Sequence, residues 1–178
     1  VVVPGDRGLQ TIRDDEVVDY PIEALRDDNI REVCFMSDGT VFLGLWKGGL
    51  VQLRPSAENR YERRPVPFPD GVEGNPRALA EGSQGELWIG LDVGTILKLD
   101  RMGNFTRYAP PGSPNLDTTM KFEIDEDGVL WVSYTKGILR IRDDRVDHFP
   151  LESAIDHSFT HDGGLYCSAY RSGLHLFA

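Results

Sequence analysis

Cysteine and histidine are scarce in this chain, basic residues are outnumbered, and no apolar run is long. The two cysteines, Cys34 and Cys167, sit far apart in apolar, strand-like surroundings. They read as two buried small hydrophobes rather than a disulfide framework, so they leave the compartment open. The four histidines, His148, His157, His161 and His175, show no zinc spacing, and no nucleophile elbow or phosphate loop is present. No stretch approaches the roughly 18 apolar residues that would cross a bilayer, which excludes membrane insertion by a helix of this segment. Val1-Val2-Val3-Pro4 lacks the basic start and long apolar stretch of a signal peptide, and the missing Met reads as processing or as a piece of a longer protein. Nineteen Lys and Arg stand against 29 Asp and Glu, a net charge of −10. Phosphate neutralisation needs the opposite balance, so nucleic acid is excluded as a partner, and the acidity serves solubility.

What the chain does have is one phrase written four times. The copies are Asp38-Gly39-Thr40-Val41-Phe42-Leu43-Gly44, Gln84-Gly85-Glu86-Leu87-Trp88-Ile89-Gly90, Asp127-Gly128-Val129-Leu130-Trp131-Val132-Ser133 and Asp162-Gly163-Gly164-Leu165-Tyr166-Cys167-Ser168. A turn residue and Gly lead into an aliphatic, an aromatic, an aliphatic and a small residue. The glycines at 39, 85, 128 and 163 recur at the period of a repeat architecture.

The same signals surround each copy. A short apolar-alternating segment precedes it (30–36, 77–80, 120–124, 158–160). A Gly followed by alternating apolar residues comes after it (49–53, 94–99, 137–141, 173–177), then a polar turn and a segment ending in Pro. Short period-two runs bounded by Gly, Pro, Asp and Asn are strands, and no amphipathic helix appears. Each repeat therefore predicts four antiparallel strands, here lettered A to D, with the Asp-Gly pair closing the A–B hairpin. The small residue ending strand B (Gly44, Gly90, Ser133, Ser168) is expected to let a neighbouring sheet approach. Four-stranded meanders packed face to face about an axis make a β-propeller, so the fold class is all-β, a propeller or an arc of one with about four to five blades. One propeller segment, 1–178, divides into repeats at about 1–28 (B to D only), 29–75, 76–116, 117–155 and 156–178 (A to C only).

The phrase Asp-Gly-x-Leu-Trp-Val/Ile-Gly, followed about four residues later by Gly-Leu/Ile and an alternating strand, resembles the two-component regulator propeller repeat. Residues 84–108 and 127–149 match best, and Gln84, Thr95 and Cys167 depart from the pattern. The resemblance implies a periplasmic or extracellular sensor propeller of bacterial hybrid histidine kinases or diguanylate cyclases, a ligand-binding rather than catalytic role, and output domains elsewhere. The repeats also resemble the streptogramin B lyase propellers, whose outer strand is echoed by Phe105-Thr106-Arg107-Tyr108-Ala109-Pro110. That second resemblance implies a catalytic His with a metal. His157 and His161, with Glu152 and Asp156 near, are the places to look, against the simpler reading of histidines without a ligand. A protein–protein scaffold is the third alternative.

In a four-stranded meander the B–C and D–A loops emerge on one face. The B–C loops carry a basic residue just before the Gly: Arg7, Lys47, Lys136 and Arg171, with Asp92 breaking the series. Trp46, Tyr134 and Tyr170 lie beside them and would suit stacking. Together they predict a ring for a small or extended ligand, anionic or carbohydrate-like. The alternative is ordinary solvated surface. A protein partner or a homodimer would use the same face. Phe42, Trp88, Trp131 and Tyr166, mid-strand in B, are expected to be inter-blade packing instead. No cofactor and no metal ligand set is predicted.

Overall fold

The computed structural model describes residues 2–5, 8–13, 16–19, 29–56, 60–109, 116–142, 145–160 and 164–177. Among these there are eighteen strands and no helix. The strands form five antiparallel sheets, each a meander in chain order. The first holds β1 (Val2–Gly5), β2 (Gly8–Arg13) and β3 (Glu16–Asp19). The second holds β4 (Ile30–Phe35), β5 (Val41–Leu45), β6 (Gly49–Ser56) and β7 (Arg60–Val66). The third holds β8 (Pro76–Glu81), β9 (Leu87–Leu91), β10 (Ile96–Leu99) and β11 (Phe105–Tyr108). The fourth holds β12 (Thr119–Ile124), β13 (Leu130–Tyr134), β14 (Gly137–Arg142) and β15 (Arg145–Pro150). The fifth holds β16 (Ala154–Phe159), β17 (Leu165–Ala169) and β18 (Gly173–Phe177).

These are the blades that the repeated phrase predicts, with the first sheet running B to D and the fifth A to C. The expected repeat start at 156 falls inside β16. That strand begins at Ala154 and shifts register between Ala154 and Asp156, where an extra residue is accommodated. The A–B turns need a backbone that only Gly enters freely: Gly39, Gly85 and Gly128 sit at φ 85°, 74° and 78°.

Contacts divide the chain into two units, residues 1–76 and 77–178. In the first, the buried core of the second sheet is aliphatic, built from Ile30, Val41, Leu43, Leu45, Val51 and Leu53. In the second, one cluster joins the third and fourth sheets through Trp88, Ile96, Phe122, Leu130, Val132 and Leu139. Another joins the fourth and fifth through Ile138, Ala154, Leu165 and Cys167. Strand B is the most buried element of a blade: all five residues of β5 and all five of β9 are buried. A strand covered on both faces must be apolar throughout, which is why the phrase recurs as aliphatic–aromatic–aliphatic. Both cysteines are free and buried.

The small residue next to last in strand B receives the next blade's strand A. A Cβ added at Gly90 would come within 2.8 Å of Phe122 Cζ, and one at Gly44 within 2.8 Å of Pro76 Cβ. Trp131 shows the aromatic position at work. Its ring stacks on Phe149 at 5.9 Å and meets Phe159 of the fifth sheet edge-on at 5.4 Å, and its Nε1–H donates to Asp125 Oδ2 at 2.9 Å. Trp88 is buried and meets Tyr108 edge-on at 4.8 Å, and Phe42 is buried. Tyr166 departs from that pattern: its ring stays 38% exposed, since no described strand covers its face of the fifth sheet.

A braced loop face

The B–C and D–A loops are tied to each other, and the ties repeat within each unit. In the first unit the Trp46 N–H donates to Asn29 O at 2.9 Å, and the Lys47 N–H to Asn75 Oδ1 at 2.9 Å. The B–C loop of that blade is thus held by the D–A segments on either side of it. In the second unit Thr118 Oγ1 donates to Asp92 O at 3.1 Å, and Thr135 Oγ1 donates to Asp117 Oδ1. Leu151 N–H donates to Lys136 O at 3.2 Å, Ser153 N–H to Thr135 O at 2.6 Å, and Tyr170 N–H to Ser153 O at 3.0 Å. Lys47 and Ser153 hold left-handed backbone at φ 60° and 59°. For non-glycine residues that conformation persists only where surrounding bonds fix it.

The predicted site residues fall unevenly on the braced loops of each unit. In the first unit Trp46 is 38% exposed, with the Arg31 guanidinium 3.4 Å above its ring, a close cation–π contact. Lys47 beside it is exposed. In the second unit Tyr170 is 74% exposed and Arg171 is exposed. Lys136 is exposed but paired, its Nζ lying 3.6 Å from Asp117 Oδ2. The Asp117 carboxyl is held below the usual carboxylate range, chiefly by the Thr135 hydroxyl, with Lys136 adding to it. Arg7 and His161 lie outside the described residues.

Tyr134 has to be corrected. It is the last residue of β13 rather than a loop residue, it is 1% exposed, and its hydroxyl shares a 2.7 Å hydrogen bond with His148 Nε2. Burial pushes its hydroxyl pKa up, with Asp117 adding to the effect. Its ring is core, because a residue still paired in the strand points into the sheet packing, and it offers no stacking surface.

His157, the other residue singled out, is the fourth residue of β16, where β4, β8 and β12 carry Val33, Leu79 and Phe122. Its side chain is fully enclosed, and Nδ1 lies 2.5 Å from Ser133 Oγ. Ser133 is the small residue one place before the end of β13, in the place held by Gly44 and Gly90. A hydroxyl has replaced a hydrogen where an imidazole has replaced a hydrocarbon, and the two answer each other. On the other side, Nε2 and Glu123 Oε2 face each other at 3.9 Å, both buried and neither hydrogen-bonded. Burial, reinforced by Lys121, pushes the His157 pKa down to about 4, so the ring is neutral near neutrality and this contact is no ion pair. Glu123 is pushed up by burial against the pull of Lys121, whose Nζ lies 3.8 Å away. Lys121 Nζ also donates to His157 O at 2.6 Å and lies 2.8 Å from Asp156 Oδ1. Cys167, opposite His157 in the ladder, has its thiol pushed up to about 11 by burial, so it stays protonated and unreactive.

The metal that the lyase resemblance implies does not fit at His157. One ring nitrogen is committed to Ser133, and among the described residues no three His, Cys, Asp or Glu are grouped so as to hold an ion. The residues that brace the loop face, Asn75, Asp117, Thr118 and Thr135, escape sequence reading. They stand at no fixed place in the repeated phrase, and each bonds across a gap in sequence.

Blades of this kind define a β-propeller, and comparison with solved structures agrees. Virginiamycin B lyase from Staphylococcus aureus superposes with a TM-score of 0.67 at 17% identity, over 99% of this chain and 68% of that one. An extracellular domain from B. thetaiotaomicron, named as belonging to a hybrid two component system, gives 0.71 at 15% identity, over 98% of this chain and 25% of that one. A gluconolactonase from Xanthomonas campestris gives 0.70 at 15% identity, over 96% of this chain and 65% of that one. At such identities the likeness is one of fold. The chain spans about a quarter of that extracellular domain's length. No family model matches the chain, and no curated protein matches it significantly.

Proposed function

We propose that the chain is a non-enzymatic, ligand-binding stretch of a bacterial sensor propeller of the two-component-regulator kind, working outside the cytoplasm. It binds an anionic or carbohydrate-like ligand through its B–C and D–A loops. The observation that carries this reading is the bracing of these loops within each unit. Loops locked to one another present their exposed aromatic and basic side chains (Trp46 with Lys47, Tyr170 with Arg171) at little entropic cost on binding. Aromatic faces beside cations suit an acidic sugar, with the ring stacked and the carboxylate paired. The structural likeness to extracellular domains of two component systems supports the sensor class and the location.

The likeness to a lyase and a gluconolactonase keeps an enzymatic reading in play. That reading would need His157 at a surface, and its side chain is enclosed. Calorimetric titration with oligogalacturonate, an acidic oligosaccharide, separates the readings. Affinity that falls stepwise, about three- to tenfold for each of Lys47→Ala, Lys136→Ala and Arg171→Ala, supports the sensor. Turnover abolished by His157→Ala would establish the enzyme. Indifference to all four variants would leave a protein–protein scaffold.

A further inference from the structure

The two inter-sheet joints of the second unit are built on one plan and filled differently. Between the fourth and fifth sheets, Trp131 and Phe149 face Phe159, the last residue of β16, and Phe177, the last of β18. Between the third and fourth sheets, Trp88 and Tyr108 hold the places of Trp131 and Phe149. The places of Phe159 and Phe177 are there held by Ile124 and Ile141, as the registers Ile124↔Leu130↔Ile141 and Phe159↔Leu165↔Phe177 establish. Two rings are thereby replaced by two shorter aliphatic side chains. A cleft of about 400 Å³ remains at the A–B turn end of the joint, lined by Trp88, Tyr108, Ile124, Leu130 and Ile141.

One edge of the cleft is charged. In the fourth sheet the cation over the B-strand tryptophan, Arg140, is matched by Asp147 directly across the ladder at 2.7 Å. In the third sheet the corresponding cation, Lys98, faces Thr106, which carries no charge. Its Nζ lies 5.0 Å from the centroid of Trp88 and 3.4 Å from Glu86 Oε1. The other oxygen of that carboxylate, Oε2, accepts the Gln84 N–H at 3.0 Å. Lys98 therefore meets its carboxylate, Glu86 at the cleft edge, at 3.4 Å, where its counterpart Arg140 is held at 2.7 Å, and it is the less tightly matched cation of the two.

We propose that this cleft binds a single-ring aromatic carboxylate. The ring takes the volume that Phe159 and Phe177 fill in the neighbouring joint, and the carboxylate pairs with Lys98. The cleft lies at the opposite end of the strands from the braced loop face, and the proposal stands apart from the function assigned to that face. Its size is in the ordinary range for small-ligand sites, with one apolar wall, one aromatic wall and the Lys98–Glu86 pair at its polar edge.

The test is an NMR titration of the whole chain with benzoate, and with phenol as a ring lacking the carboxylate. Saturable shifts of the Trp88 indole N–H are expected at about 10 mM benzoate or below, with phenol at least about fivefold weaker. Ile141→Phe, which copies the filled joint, should abolish the benzoate shifts, and Ile124→Phe serves the same purpose should that variant fold poorly. Lys98→Met should weaken benzoate about tenfold and leave phenol unchanged. The absence of a saturable response overturns the proposal. So does a response that persists in a folded filled-joint variant, and so does phenol binding as tightly as benzoate. None of these outcomes touches the loop-face reading, whose variants lie elsewhere.

Discussion

Acid should weaken this protein through one imidazole. His157 is fully enclosed and neutral, with its pKa depressed from an ordinary value of 6.5 to about 4. The unfolded chain takes up this proton as pH falls through about 6.5, whereas the folded chain resists until about 4, so between those values unfolding binds a proton and stability drops. Above that window His157 contributes no pH dependence, and below it the loss is complete. At 1.36 kcal/mol per pKa unit, the full loss is about 3 kcal/mol, with about 2 kcal/mol already gone near pH 5. Glu123 works the other way. Burial raises its pKa, so the stability it contributes is present in acid and lost as pH rises through its folded value.

The clean measurement therefore carries Glu123→Gln in both arms and compares His157 with a Ser133→Gly/His157→Leu double variant, which removes the hydroxyl and puts a hydrocarbon in place of the imidazole. Urea denaturation near pH 7 and near pH 5 should show the histidine arm losing about 2 kcal/mol more than the leucine arm. Parallel losses in the two arms would refute the claim that this buried ring is what acid attacks.

Trp131→Ala should cost about 3–5 kcal/mol by denaturant melt, because it removes a ring packed on Phe149 and Phe159 and strands Asp125 Oδ2. A cost under about 1 kcal/mol would place the joint's stability elsewhere. Gly94→Ala should lower the melting temperature, losing about 1–3 kcal/mol. The position holds φ 76°, and a Cβ there would collide with the Leu116 carbonyl. Asp117→Ala should leave global stability within about 1 kcal/mol yet speed amide hydrogen exchange in the loop at 135 and 136, since it frees Thr135 and Lys136 together. Unchanged exchange there would show that the loop is braced by its backbone bonds alone.

The fold was readable because propeller blades write their constraint locally. The Gly of the A–B turn, the aliphatic–aromatic–aliphatic strand B and the small residue after it each answer a need met within a few residues, and the need recurs. Trp131 could be placed from that pattern alone. The loop site could not, because Asp117 reaches Thr135 across 18 residues and Asn75 reaches Lys47 across 28. Tyr134 misled for a related reason: position relative to the Gly suggested a loop, while the register Tyr134↔Gly137 keeps it in the ladder. His157 was visible as an anomaly among Val33, Leu79 and Phe122. Its meaning required Ser133, and only packing brings those two together.

That partnership bears on how such arrays grow. Gly44 fits Pro76, Gly90 fits Thr119 and Phe122, and Ser133 fits His157. Each fit crosses from the second strand of one repeat to the start of the next. A blade excised at its own boundaries and spliced elsewhere would leave half of a matched pair behind, a hydroxyl against a leucine or an imidazole against bare backbone. Sequence exchange among repeats is therefore tolerated best when the crossover falls after the first strand of a blade, so that each inner strand travels with the predecessor to which it was fitted.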